Sequence, residues 1–315
     1  MIKKLLALLI VSYGLTLPAQ AVDLNIKEMT TKSGIHFWFI EDRTLPIINM
    51  AMSWRGGAAT DTPANTGLTE FMVSLLDEGA GTYTANPFKS KLAEQGVRLN
   101  FWTGLDNVYG LAKFLVPQKK QAIQLLKLAV QEPRFDPEAI ERMRTTLMNN
   151  RRHALGKPGV LNNENWWSLA YGAHPYGRPI AGDLETISRF TRADLTRRHR
   201  NHMARDNLTL TIMGHLSPRQ AANLVENIFQ GLPAKADLPT VEKAEIQSTQ
   251  QMKILAYPTP QAEIVFGLPG ISYQDPDFFA AYVMNYILAG GGFSSRLMEE
   301  IREKRGLAYG VYASL

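Results

Sequence analysis

Few residue types in this chain could carry chemistry. The 315 residues include no cysteine, which excludes disulfides, thiolate nucleophiles, zinc fingers and iron–sulfur ligation together. The histidines are His36, His153, His174, His199, His202 and His215. His199 and His202 stand at i, i+3, close enough on a helix to share a metal, but no acid or third histidine sits at ligand spacing. Glu70, Asp77 and Glu78 are near one another in sequence, yet Glu70 and Asp77 lie two helical turns apart, so helix-surface acids are the expected role. No Gly-x-Ser-x-Gly marks a serine nucleophile. Gly290-Gly-Gly-Phe-Ser294 lacks the Lys-Ser/Thr ending of a phosphate loop and follows a helix instead of a strand. The densest basic stretch, Arg192 to Arg205 with Arg197, Arg198 and Arg200, reads as a solvated helix face. The net charge of +5 and pI near 9.3 are too mild and too dispersed to argue for a nucleic-acid partner.

The length suggests about two domains, and 45% hydrophobic with 20% charged residues is ordinary globular composition. Ahead of them stands a targeting segment. Lys3 and Lys4 give a positive start, Leu5 to Leu17 is an apolar run, and Pro18-Ala19-Gln20-Ala21 places small residues at −3 and −1. This is the pattern of a secretory signal peptide over residues 1–21, with the mature chain beginning at Val22. Its apolar run is too short to span a bilayer core of about 30 Å as a helix. No later segment is apolar for long enough either, so the expected protein is periplasmic with no stable membrane insertion.

Strands are expected at Ile35 to Asp42 and Pro46 to Trp54, joined by Asp42-Arg43-Thr44 as an antiparallel pair. A loop from Asp61 leads to Thr66, a candidate N-cap. Leu68, Phe71, Met72, Leu75 and Leu76 then recur at helical spacing until Gly79. A short helix at 87–95, a hairpin at 97–102 with 107–116, and helices at 118–131 and 136–155 follow. Asp136 and Pro137 provide N-cap and N1 for the last of these. Helices at 162–171, 192–202 and 218–229, with a strand at 207–213, complete a first domain of 22–232. Residues 233–250 are polar and contain Pro233 and Pro239, as a linker would. Beyond it come expected strands at 253–256 and 263–267, helices at 276–288 and 294–305, and a strand from Ala308. Interleaved hairpins and paired helices favour α+β over a doubly wound sheet. Strand, loop and long helix occur at 46–78 and again at 262–289, a faint internal echo.

Several motifs in a fixed order carry a resemblance. They are Arg55-Gly-Gly57, Thr66-Gly-Leu68, Asn100 before a strand ending at Tyr109, and His174-Pro-Tyr-Gly-Arg-Pro179 with Gly182 and Ile187. Asn207 leading to Gly214 and Ser295-Arg-Leu297…Arg302-Glu-Lys-Arg-Gly-Leu-Ala-Tyr309 complete the set. From about residue 25 onward the chain resembles the pitrilysin, or insulinase-type, family of zinc metallopeptidases. The resemblance implies two related α/β sandwich-like domains joined by a linker, with the second, 251–315, cut short.

Active members of that family carry His-x-x-Glu-His on the first long helix, where two histidines ligate zinc and the glutamate activates water. The matching positions here are Glu70, Val73 and Ser74, and the third ligand position falls near Asn150. None of these residues can reproduce the set, so no metal and no cofactor are expected in this chain. The resemblance leaves Arg302 and Tyr309, the pair that the zinc-free half of two-part members extends toward the zinc-bearing half. Tyrosine can donate to an oxyanion and arginine can hold a substrate carbonyl. The expected protein is therefore a non-catalytic subunit of a two-chain periplasmic zinc metallopeptidase. It would bind peptide or unfolded protein beside a zinc-bearing pitrilysin-family subunit. The alternatives are a peptidase-derived peptide-binding or scaffold protein, and a self-sufficient enzyme of another kind.

Overall fold

The computed structural model describes residues 25–246 and 252–315; the expected signal peptide and the Val22 start lie outside them. The chain divides into two compact units. One comprises residues up to 156 together with 178–242, and the other comprises 157–177 together with 243–315. The segment 157–177, expected to sit within a first domain of 22–232, thus groups with the second unit.

The first unit is built on a six-stranded sheet. Its strands are β1 (Ile26–Thr30), β2 (His36–Glu41), β3 (Ile47–Arg55), β6 (Arg98–Thr103), β7 (Asn107–Leu115) and β8 (Leu208–Gly214), with a small hairpin β4 (Gly79–Ala80) and β5 (Tyr83–Thr84) apart from it. The sheet order is β1-β2-β8-β3-β7-β6. β2 and β3, expected to pair with each other, are not neighbours in the sheet. β8 enters between them, parallel to β2 and antiparallel to β3. All three strands alternate buried and open positions, so a strand from far along the chain can complete both ladders while keeping one apolar face.

That face is Phe37 and Phe39 on β2, Ile48, Met50, Met52 and Trp54 on β3, Leu210 and Ile212 on β8, and Val108 and Phe114 on β7, all essentially inaccessible. Helices cover it: α1 (Leu68–Val73), α2 (Ala85–Glu94), α3 (Lys119–Gln131), α4 (Pro137–Leu155), α6 (Leu184–Arg189), α7 (Arg192–His202) and α8 (Pro218–Phe229). α8 shows the logic. Ser217 and Gln220 form a reciprocal capping box at its start, Pro218 takes N1, and Ala221, Leu224, Val225, Ile228 and Phe229 form a single buried stripe. Phe229 meets Trp54 edge-to-face at 6.2 Å.

The second unit contains α5 (Pro158–Tyr171), α9 (Phe278–Asn285) and two π-helical turns, Tyr286–Gly290 and Met298–Glu303. The strands expected at 253–256, at 263–267 and from Ala308 are irregular here, and the helix expected over 294–305 is present over 296–303, its last six residues as the second π turn. The apolar residues that suggested strands are largely solvent-facing, among them Ile254, Ile264 and Phe266. A strand needs a neighbour for its backbone groups, and none is present among the described residues. The internal echo of 46–78 at 262–289 therefore holds only in its helix.

Candidate functional site

α1 is held from outside its own first turn. Gly67, in the left-handed region at φ 91°, is its N-cap and offers no side chain; Thr66, the expected cap, donates its hydroxyl to the Thr62 carbonyl instead. The capping work falls to Asp61. Its carboxylate accepts from the backbone N–H groups of Gly67 (3.1 Å) and Thr69 (3.2 Å) and from the Thr69 hydroxyl (2.6 Å). The Arg198 guanidinium lies 3.5 Å away, equally buried, and Arg178 donates to the Asp61 carbonyl oxygen. Burial raises the Asp61 carboxyl and lowers the Arg198 guanidinium, each shift being opposed by the other's charge. Arg198 is thus not part of a solvated basic face, although Arg197 and Arg200 are exposed. Sequence reasoning missed this clamp. Its only trace was a lone acid six residues ahead of Gly67.

The start of α1 also requires a close backbone contact. A Cβ on Gly182 would stand 2.4 Å from the Thr66 oxygen and 2.8 Å from the Gly67 Cα. Both glycines have positive φ, so this crossing excludes side chains on sterics and on backbone conformation alike.

With α1 fixed, its chemistry can be read directly. Glu70 sits in the first turn, partly buried, with no ion-pair partner among the described residues; burial pushes its carboxyl above the usual carboxylate range. Val73 is 2% exposed and packs in the core. Ser74 closes the helix and donates its hydroxyl to the Glu70 carbonyl at 2.8 Å. Asn150 is exposed on α4. One carboxylate, two methyl groups, a committed hydroxyl and an exposed amide do not fit a zinc ion, and Val73, at the position of the base, cannot accept a proton from water.

The neighbouring acids do structural work. Glu78, expected on a helix surface, is buried where α1 has already unwound, and it holds Lys89 and Arg142. Burial would raise its carboxyl, but these two cations hold it below the usual range. Burial raises the partly buried Asp77. His199 is buried and donates Nε2–H to the Val130 carbonyl at 2.8 Å, as a neutral imidazole must toward a carbonyl oxygen. Burial brings it down to about 4. His202 is wholly buried, and burial together with Arg198 and His199 holds it well below the ordinary imidazole value. His174 accepts from the Tyr176 backbone N–H within its own loop. Among the described residues no group of three or more histidines or acids could hold a metal ion.

The second unit does bring Arg302 and Tyr309 together. The π turn ends, Gly306 reverses the chain at φ 61°, and the Arg302 guanidinium lies over the Tyr309 ring at 5.4 Å and the Phe293 ring at 4.4 Å. Tyr309 itself is 89% exposed and lies in irregular chain instead of on a final strand.

Comparison with known proteins matches residues 39–184 to the insulinase (peptidase family M16) model and 189–315 to the peptidase M16 inactive domain. An uncharacterized zinc protease of Streptomyces coelicolor is 26% identical over 298 residues, 92% of this chain and 64% of that protein. A non-peptidase homolog of Helicobacter pylori is 27% identical over 302 residues, covering 95% of this chain and 69% of its own length. The chain thus spans about two thirds of these curated relatives. The crystal structure of a peptidase M16 inactive domain from Pseudomonas fluorescens superposes with a TM-score of 0.80 at 26% identity, over 93% of this chain and 71% of that one. No described helix is long and apolar enough to cross a membrane.

Proposed function

Because the chain belongs to the insulinase family, peptidase M16, and its α1 offers Glu70, Val73 and Ser74 where a zinc ion would need ligands and a base, we propose that it is the non-catalytic subunit of a two-chain periplasmic zinc metallopeptidase. Val73 carries this reading. A buried valine cannot take a proton from water, and the one carboxylate on the same helix, Glu70, stands at a ligand position and not at that of the base. The metal belongs to a family partner, and this chain binds unfolded peptide and contributes Arg302 and Tyr309 to the partner's site. Tyr309 would donate to the developing oxyanion and Arg302 would hold a substrate backbone carbonyl.

The test is co-purification of the full-length protein with a zinc-bearing family member, followed by kinetics on the pair. Tyr309→Phe is expected to lower kcat by about 10²–10³, the usual loss for one oxyanion donor. Arg302→Ala is expected to raise KM at least as much as it lowers kcat. Neither change should weaken assembly. Wild-type cleavage by both assembled variants would leave a peptide-binding or scaffold protein with no role in catalysis. One observation favours that second reading: the exposed Tyr309 hydroxyl has no hydrogen bond among the described residues to fix it in place.

A further inference from the structure

The helices cover one face of the six-stranded sheet and leave the other open. Strand register arranges the open side chains in rows that cross the sheet. One row runs Ile26, Ile40, Met213, Asn49, Lys113, Arg98; the next Glu28, Trp38, Thr211, Ala51, Leu111, Asn100; the third pairs Thr30 with His36 at one edge and runs Thr209, Ser53, Tyr109, Trp102 across the rest.

The β3–β7–β6 half of this face is unlike the rest. It carries Arg55, Arg98 and Lys113 and not one carboxylate; the only acid in the three rows, Glu28, stands on β1 at the opposite edge. Arg98 and Lys113 are directly opposed cross-strand partners, both exposed, and neither has an ion-pair or hydrogen-bond partner among the described residues. Like charges placed this way destabilise a sheet, so the folded chain maintains an uncompensated positive pair. Beside it lie Leu111 and Leu115, 49% and 43% exposed, and Trp102, which stacks on Tyr109 at 5.3 Å. Cations without counterions next to exposed apolar side chains are complementary to a partner with carboxylates and apolar groups in the same alternation.

We propose that this half-face binds an extended segment of unfolded polypeptide that carries an acidic residue, with apolar or aromatic residues two and four positions along. The inference rests on the peptide-binding role proposed above and specifies its substrate class. The spacing follows from strand geometry. Successive rows are two residues apart, about 7 Å, and alternate side chains of an extended peptide recur at the same interval. The carboxylate meets Arg98 and Lys113, the next outward side chain meets Leu111, and the third meets the Trp102–Tyr109 stack.

The experiment uses the full chain and two fluorescent peptides, one of pattern Glu-x-Leu-x-Phe and one with Gln in place of Glu, read by anisotropy at low and at physiological salt. The Glu peptide is expected to bind roughly three- to tenfold more tightly, with the advantage shrinking as salt rises. In the double variant Arg98→Gln, Lys113→Gln the two peptides should bind alike, whereas Leu111→Ser should weaken both; unchanged thermal unfolding shows that the exposed substitutions leave the fold intact. Equal binding of both peptides to wild type, no binding of either, a preference that survives the double variant, or equal competition by a single-stranded oligonucleotide each overturns the proposal. Equal binding of the two peptides leaves the subunit reading standing. Absence of a zinc-bearing partner removes that reading without touching the charge preference.

Discussion

Two helices show how differently the two units are made. α8 in the first unit keeps its apolar residues on one stripe and its polar residues on the other, and Phe229 at its end is fully buried against Trp54. α9 in the second unit, Phe-Phe-Ala-Ala-Tyr-Val-Met-Asn, is apolar all round, and Phe279, Tyr282, Val283 and Met284 are more than half exposed. With Ala280, Ile287, Leu288 and Arg296, three of them line an open apolar groove. A helix with a polar face states where solvent belongs; a helix without one is built to be covered on several sides. The first unit meets its own requirement for burial, and the second leaves that of α9 unmet within the described residues.

The largest effect that can break this comparison is a matched pair of truncations. Phe229→Ala should cost about 3–5 kcal/mol in urea unfolding, because it opens a cavity beneath the sheet. Phe279→Ala should change stability by less than about 0.5 kcal/mol, as surface substitutions do. Equal costs would mean that α9 is covered as thoroughly as α8.

Acid offers a second way to separate the units. His199 is held neutral at about 4, below the ordinary imidazole value of 6.5, so the unfolded chain takes up a proton that the folded chain refuses. Its contribution is fully present above the ordinary value and is lost as pH falls toward 4, on the order of 3 kcal/mol over that window. His202, depressed further, adds to the same loss. Urea titrations at several pH values, followed by near-UV signals of Trp54, should show the first unit weakening in step. Stability independent of pH between 7 and 4 would show that the histidines are not sealed in the core.

The smallest effect is at Glu70. Its carboxyl is raised by burial, so the folded state holds its proton more tightly than the unfolded state. Stability therefore falls as pH rises from the ordinary carboxylate range through the raised value. Glu70→Gln should gain less than about 1 kcal/mol at pH 8 and nothing at acid pH. A loss at pH 8 would mean that attraction to the N-terminus of α1 outweighs the burial.

The sequence made some features legible and hid others for physical reasons. α4 was readable because its Asp136-Pro137 start is a local signal, and the β6–β7 hairpin because its strands are adjacent in sequence. The separation of β2 from β3 was hidden, since neighbouring strands usually pair and nothing local announces that the strand expected at 207–213 enters between them. The motif positions Glu70, Val73 and Ser74 could be inspected one by one, but the Asp61 clamp beneath them depends on Arg198 and Arg178, contacts formed only by the fold. In the second unit the apolar residues at 263–267 suggested a strand, yet a strand is a relation between segments and no partner is present among the described residues.

The place of β8 also governs how the molecule is made. It lies third in a row of six strands, but it is synthesised after the other five. Until Leu208–Gly214 emerges, β2 and β3 each present a row of unpaired backbone groups, and the β1–β2 hairpin and the β3–β7–β6 meander have no shared ladder. The nascent polypeptide thus passes through a stage with two sticky strand borders facing each other across a gap. Its folding is slowed by the long loop that must close before the gap is filled. A protein of this topology can complete its central sheet only when nearly all of its first unit has been released.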